Sequence, residues 1–192
     1  MKDKIEKAVD IIYGDMLTRP LSLIFIKEFV PTEMKNNFIE NPWGNDFVGW
    51  KMIDSRITNY DLELVKKQLG VNLPQTYKLF VQYKYFIELY THNNAIQFEG
   101  ITDKIKLDKI VSHNKESFYK SSVLDDGYIA VASFYDYGCV LLNTDEDDES
   151  VYVLMYDNLD RKYYYASSLV ELLSLDTDHA NNFIENHNKS WW

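Results

Sequence analysis

The chain has 192 residues, of which 46% are hydrophobic, and a formal net charge of −10. That length fills a single core, and an aromatic content led by fifteen Tyr and ten Phe excludes disorder over most of it. The charge argues against a sequence-independent nucleic-acid binder, which needs clustered Lys and Arg, and against an anionic membrane surface; it suits a basic partner, or solubility alone.

Met1 to Met16 reads as an amphipathic helix, with Ile5, Ala8, Val9, Ile12 and Met16 on one face, ended by Pro20. The run Leu21 to Val30 fits either a buried strand or a buried helix, and Pro31 stops it. It is too short to span a bilayer and is interrupted by Lys27 and Glu28. No signal-peptide layout precedes it, so the expectation is a soluble, cytoplasmic protein. Thr32 opens a further short helix. Asn41-Pro42-Trp43-Gly44-Asn45 is a loop, and it sets the expected boundary between an N-terminal helical extension, 1–46, packed on the body, and a main domain, 47–192.

Ile57 to Val81 is the organising stretch and reads as two helices meeting at a corner. Thr58 is a good N-cap, Asp61 favours the helix dipole, and Leu62, Val65 and Leu69 form an apolar stripe. Gly70 closes the first helix, and Leu73-Pro74 opens the second, whose buried face holds Tyr77, Phe80 and Val81. The aromatic-rich segment Tyr83, Tyr85, Phe86 and Leu89 reads as an extension of that second helix. His92-Asn93-Asn94 makes a turn and Ala95 to Ile101 a strand. Asp103 to Lys120 reads as helix anchored by Ile105, Ile110, Val111 and Phe118.

From Asp125-Asp126-Gly127 onward the pattern is strand–turn–strand. Strands are expected at Tyr128 to Phe134, Cys139 to Asn143, Val151 to Met155 and Lys162 to Ala166, with turns at Asp136-Tyr137-Gly138, Asp145 to Glu149 and Asn158-Leu159-Asp160. Ser168-x-x-Glu171 is a capping box for a closing helix, and Asp176 to Trp192 adds one more. The expected fold class is α+β: an antiparallel meander of about four to six strands packed with N-terminal helices and a closing C-terminal helix.

Four motifs in order, over roughly Trp50 to Leu175, carry a resemblance. They are the helix pair with Leu69-Gly70-Val71-x-Leu73-Pro74-x-x-Tyr77-Lys78-x-Phe80, then Tyr128 to Ser133 with Gly138 and Leu141. Ser150-Val151-Tyr152-Val153 with Asp157 follows, and last the helix from Ser168 to Leu173. Together they are similar to SMI1/KNR4-type domains of the SUKH superfamily. The chain departs from the family where Gln82-Tyr83-Lys84-Tyr85 replaces an Asn-Gly pair and where Gly138 stands alone for a glycine pair. The resemblance implies a binding protein. Bacterial members are largely immunity proteins that neutralise polymorphic toxins, and eukaryotic relatives are regulatory interaction modules. It carries over no catalytic residue and no cofactor.

The residues themselves offer few catalytic constellations. Cys139 is the only cysteine and sits in a strand pattern, so it reads as a buried, inert thiol that leaves no disulfide and no thiolate cage. His92, His113, His179 and His187 are scattered without i, i+4 spacing and read as surface histidines. The serine pairs lack a nucleophile-elbow setting. Asp145, Glu146, Asp147, Asp148 and Glu149 form an acidic run: either a solvated turn, or a negative prong for a basic toxin groove. Asn143, Asp145 and Asp147 echo a calcium loop, but the central Gly and distal Glu are missing. Tyr152, Tyr156 and Tyr164 are the aromatic candidates: core filler on alternate positions, or outward interface anchors. Trp191-Trp192 either tucks onto the body or meets a partner.

The expectation is therefore a non-enzymatic immunity protein that binds a basic cognate toxin, with oligomeric state open. The rivals are a regulatory scaffold without a single tight partner and a hydrolase with an unrecognised site.

Overall fold

The computed structural model describes residues 1–91, 94–102, 104–116, 119–145 and 147–188. His92, Asn93, Asp103, Phe118, Glu146 and Trp191-Trp192 lie outside them, as does the side chain of Ile105.

Among the described residues the fold is α+β, built on one seven-stranded antiparallel meander in sequential order. Its strands are β3 (Ile53–Asp54), β4 (Lys84–Thr91), β5 (Ile96–Ile101), β6 (Tyr128–Phe134), β7 (Gly138–Asn143), β8 (Val151–Met155) and β9 (Lys162–Ala166). A separate two-stranded ribbon pairs β1 (Ile24–Ile26) with β2 (Phe47–Gly49). The helices are α1 (Lys2–Thr18), α2 (Asn59–Leu69), α3 (Gln75–Tyr83), α4 (Lys104–Lys115), α5 (Leu169–Ser174) and α6 (Thr177–Asn188). A single π-type turn, Lys120–Leu124, leads into β6.

Local chemistry fixes the helix pair. The Thr58 hydroxyl accepts the Asp61 N–H at 3.3 Å while the Asp61 carboxylate takes the Thr58 N–H at 2.8 Å, a reciprocal cap. Gly70 then ends α2 in the left-handed region, at φ +78°. At α5 the cap is modified: Ser168 accepts the Glu171 N–H, but Glu171 reaches back to the N–H and hydroxyl of Ser167 rather than to Ser168.

The segment after Tyr83 corrects the sequence expectation. Residues Lys84–Thr91 are strand β4, paired to β3 and β5, not an extension of α3. Tyr85, Phe86 and Ile87 are all buried, so both faces of this strand are covered and the alternation that betrays a strand is erased. No Gly or Pro marks the junction. The added strand, with the two-residue β3 at the edge, lengthens the meander to seven.

Residues 20–49 are mostly irregular. Pro20–Leu23, Lys27–Phe29 and Thr32–Met34 are single 3-10 turns around β1, so the ambiguous apolar run is neither one strand nor one helix. Long-range bonds hold this segment: Trp50 N–H donates to Leu23 O at 2.8 Å and Lys51 N–H to Met34 O at 2.9 Å. Trp50 is fully buried, with Tyr13 of α1 packed against it at 6.0 Å between ring centres.

The main core lies under the helices, on one face of the sheet along β6 to β9 and on both faces of β4. It takes Val140, Leu142, Val151, Val153, Phe134 and Tyr165 from the strands and Ile5, Val9, Leu62, Phe80, Leu172 and Phe183 from the helices. The other face carries a small second core of Val123, Ala130, Cys139, Leu141 and Leu154, roofed by the π-type turn.

Gly138 is fixed by close approach. A Cβ there would stand 2.2 Å from the Leu154 carbonyl oxygen and 3.2 Å from Met155 Cα, both backbone atoms that cannot swing aside. Gly138→Ala is expected to destabilise the fold by about 2 kcal/mol or more, because β7 and β8 must separate. A urea unfolding midpoint equal to the parent's would contradict this.

Candidate docking face

Strand parity sorts the tyrosines. On β9, Tyr163 and Tyr165 turn into the main core while Tyr164 points to the opposite face and is 57% exposed. On β8, Val151 and Val153 face the main core and Tyr152 the second. Tyr152 and Tyr164 are direct cross-strand partners, their rings edge-to-face at 6.0 Å. Tyr128, at the start of β6, continues the row, edge-to-face with Tyr152 at 5.3 Å. Lys162 lies over the Tyr128 ring and pairs with Asp126 at 2.6 Å. Tyr128 was not among the sequence candidates. Its place one residue after Asp-Gly gave its parity, but only the register with β7 shows which neighbours it meets.

The acidic run is the β7–β8 connection, so it sits at the same end of the sheet as this row. Asp145 and Asp147 are exposed, and Asp148 and Glu149 are half-buried. The loop is braced from within: Asn143 donates its side-chain N–H to Asp148 at 2.7 Å, and the Asp148 carboxylate also takes the Ser150 N–H at 2.9 Å. Asp145 takes the Asp147 N–H at 3.1 Å. The Ser150 hydroxyl and N–H, with the Asn143 amide, hold the Asp148 carboxyl below its usual 3.8. Burial is the main cause that raises Tyr128 above its ordinary value, and the neighbouring Tyr152 and the charges of Asp148 and Asp126 push it further.

Tyr156 is elsewhere. It lies four residues beyond Tyr152, roughly 13 Å along the strand direction, with its hydroxyl 3.1 Å from that of Tyr119. The structure thus brings Asp145, Asp147, Asp148, Glu149, Tyr152 and Tyr164 together with Tyr128, and leaves Tyr156 at the far end of the same face.

Asp148 and Glu171 supply a pH prediction. Both carboxyls lie below their ordinary values of 3.8 and 4.5, Glu171 chiefly through the Ser167 hydroxyl and N–H. A lowered folded-state pKa gives stability that is complete above the ordinary value and lost as pH falls through it toward the folded value. The Asp148 contribution, read as the difference in urea midpoint between parent and Asp148→Asn, should stay level from pH 7 to about 5 and shrink below about pH 4. A difference that already shrinks between pH 7 and 6 would contradict the assignment.

The other singled-out groups are structural in their surroundings. Burial pushes the Cys139 thiol up to about 12, which leaves it unionised at neutral pH. The histidines are less peripheral than their sequence setting suggested: His179 and His187 are half-buried, edge-on to Tyr165 and Tyr163. His113 lies against Tyr119 at 4.0 Å. Among the described residues no three His, Cys, Asp or Glu are placed to hold a metal ion, and no helix is long and apolar enough to cross a membrane. The cavity beside His113, Tyr119 and Cys139 holds about 50 Å³, room for a few waters at most.

The family model for SMI1/KNR4 (SUKH-1) matches residues 56–175, more than half of the chain. The chain belongs to the SMI1/KNR4 (SUKH-1) family. A comparison with curated proteins finds no match. The SUKH-1 match runs from just before the Thr58 cap of α2 to the end of α5, so it takes in strands β4 to β9, the acidic loop and the tyrosine row. Helix α1, the β1–β2 ribbon and β3 precede it, and α6 follows it.

Proposed function

We propose that this SUKH-1 chain is a non-enzymatic immunity protein that binds and neutralises a basic cognate toxin in the cytoplasm. The observation that carries the reading is the juxtaposition, inside the family-matched region, of a braced acidic loop with a tyrosine row that is exposed at Tyr164 and half-buried at Tyr152 and Tyr128. Tyrosines give contact area at low entropic cost, and the loop supplies the field that draws a basic surface onto them. Asp145, Glu146, Asp147, Asp148 and Glu149 act in encounter; Tyr152 and Tyr164, with Tyr128, anchor the complex, and Tyr156 contributes from the far end of the face.

The test is inhibition of the partner's activity at equimolar ratio. The full chain abolishes it, and a double Tyr152→Ala, Tyr164→Ala variant loses affinity by a hundredfold or so, as paired aromatic anchors do. Undiminished toxin activity at saturating parent protein would sink the reading.

A further inference from the structure

The opposite end of the second face carries a separate, unassigned groove. It holds about 300 Å³ and is lined by Tyr90, Asn94, Gln97, Ser133 and the β6–β7 hairpin Tyr135-Asp136-Tyr137. That volume is at the small limit for ligand sites and fits one long side chain better than a free metabolite. Three tyrosines wall it, and Tyr135 and Tyr137 lie 6.0 Å apart between ring centres. Tyr137 is 54% exposed and Asp136 is exposed beside it, so ring face and carboxylate both meet solvent. Among the described residues no Lys or Arg lines the groove.

Its floor is preorganised. Tyr90 donates its hydroxyl proton to Glu88 Oε2 at 2.6 Å. The Gln97 side-chain N–H group donates to Glu88 Oε1 at 3.0 Å and to the Tyr90 oxygen at 3.2 Å. Both donors of Gln97 face this ring, which fixes the amide and leaves its carbonyl Oε1 as an acceptor with no donor among the described residues. The hairpin is held in an uncommon form: Tyr135 is left-handed at φ +44°, its N–H bonded to Ala95 O at 2.8 Å, and the Tyr137 carbonyl takes the Tyr156 N–H at 2.8 Å. A bulky residue keeps a positive φ only where its neighbours over-determine it.

Aromatic walls, a fixed acceptor and the Asp136 carboxylate, with no lining cation among the described residues, are the complement of a planar cation. We propose that this groove seats an arginine side chain of a protein partner, the guanidinium stacked on Tyr137 and donating to Gln97 Oε1 and Asp136. Lysine suits it less, because a compact ammonium neither stacks nor donates in a fork. The inference rests on the partner-binding reading only in assigning the arginine to that partner.

The test uses fluorescein-labelled hexa-arginine and hexa-lysine peptides, titrated into the full chain at about 150 mM salt, where exposed long-range attraction is largely screened. The two peptides carry equal charge, so their ratio removes the general pull of an acidic protein. Hexa-arginine should bind roughly tenfold more tightly, a preference of the size expected from a stacked, forked contact. Tyr137→Ala and, separately, Gln97→Ala should abolish that preference, and the double variant Asp145→Lys, Asp147→Lys should weaken both peptides while leaving the ratio. Equal affinities in the parent, or a preference that survives both groove variants, would overturn the proposal. Failure of the immunity reading is a distinct result: the arginine preference would stand while no toxin is neutralised.

Discussion

Replacing Asp145, Asp147 and Glu149 together by lysine will slow association with a basic partner by roughly tenfold or more at low salt, the range over which electrostatic steering acts. The dissociation rate will change far less, because rim charges set encounter and buried anchors set residence. The salt dependence of association should flatten in the same variant. Asp148 is spared in this design because it braces the loop through Asn143 and Ser150, and its loss would confound charge with shape. Stopped-flow association rates at two salt concentrations decide it. Rates equal to the parent's would remove the loop from recognition and leave it a solvated turn.

Asn114→Ala should be the most damaging single substitution of a polar side chain. Asn114 lies on α4, is fully buried, and bonds the peptide of Ala130 twice: its side-chain N–H donates to the Ala130 carbonyl at 3.0 Å and its Oδ1 accepts the Ala130 N–H at 2.8 Å. The reason lies in the sheet. β5 pairs with β6 only from Phe98↔Ala132 to Ile96↔Phe134, and β6 is bulged between Ala130 and Ala132. Past that point β5 leaves β6, and the Asn114 amide stands in for the missing strand. Truncation strands a buried donor and a buried acceptor, which costs about 3 kcal/mol. For a chain of this length that lowers Tm by roughly 6–12 °C. Asn114→Asp should also destabilise at pH 7 and recover part of the loss near pH 5, where a protonated carboxyl again offers one donor and one acceptor. An Asn114→Ala protein that melts with the parent would show that β6 finds other partners there.

What was legible in the sequence was what local chemistry dictates. The α2–α3 corner follows from Thr58, Asp61, Gly70 and Pro74, residues whose conformational preferences act within a few positions. The strands from Tyr128 to Ala166 follow from short apolar and aromatic runs bounded by Asp-Gly, Tyr-Gly and Asn-Leu-Asp turns. The β4 strand did not show, because no breaker separated it from α3 and burial on both faces left no period to mark the change; β7 is as fully buried, but turns bound it. Residues 20–49 were equally opaque, since bonds to Leu23 and Met34 from residues 50 and 51, not propensity, decide their path. Asn114 gave no signal, as one polar residue among many in a helical pattern.

The tyrosines divide along the same line. Parity along one strand groups Tyr152 with Tyr156, but that Tyr164 stands opposite Tyr152 follows only from the β8–β9 register, and that Tyr156 lies apart follows from its position along the strand. The hairpin groove rests on a left-handed Tyr135 that no sequence rule for bulky residues anticipates. Sequence order therefore revealed the family, and tertiary geometry set an acidic aromatic end and a separate groove on the second face.

The proposed immunity function requires that this SUKH-1 chain have one tight, basic protein partner. Capture with the full chain as bait from lysate of its own source, at low and high salt and identified by mass spectrometry, tests it most directly. One dominant basic partner that carries a toxin domain, recovered far more strongly at low salt, is the expected result. A diffuse set of weak partners, indifferent to salt, would contradict it and make the protein a general interaction scaffold.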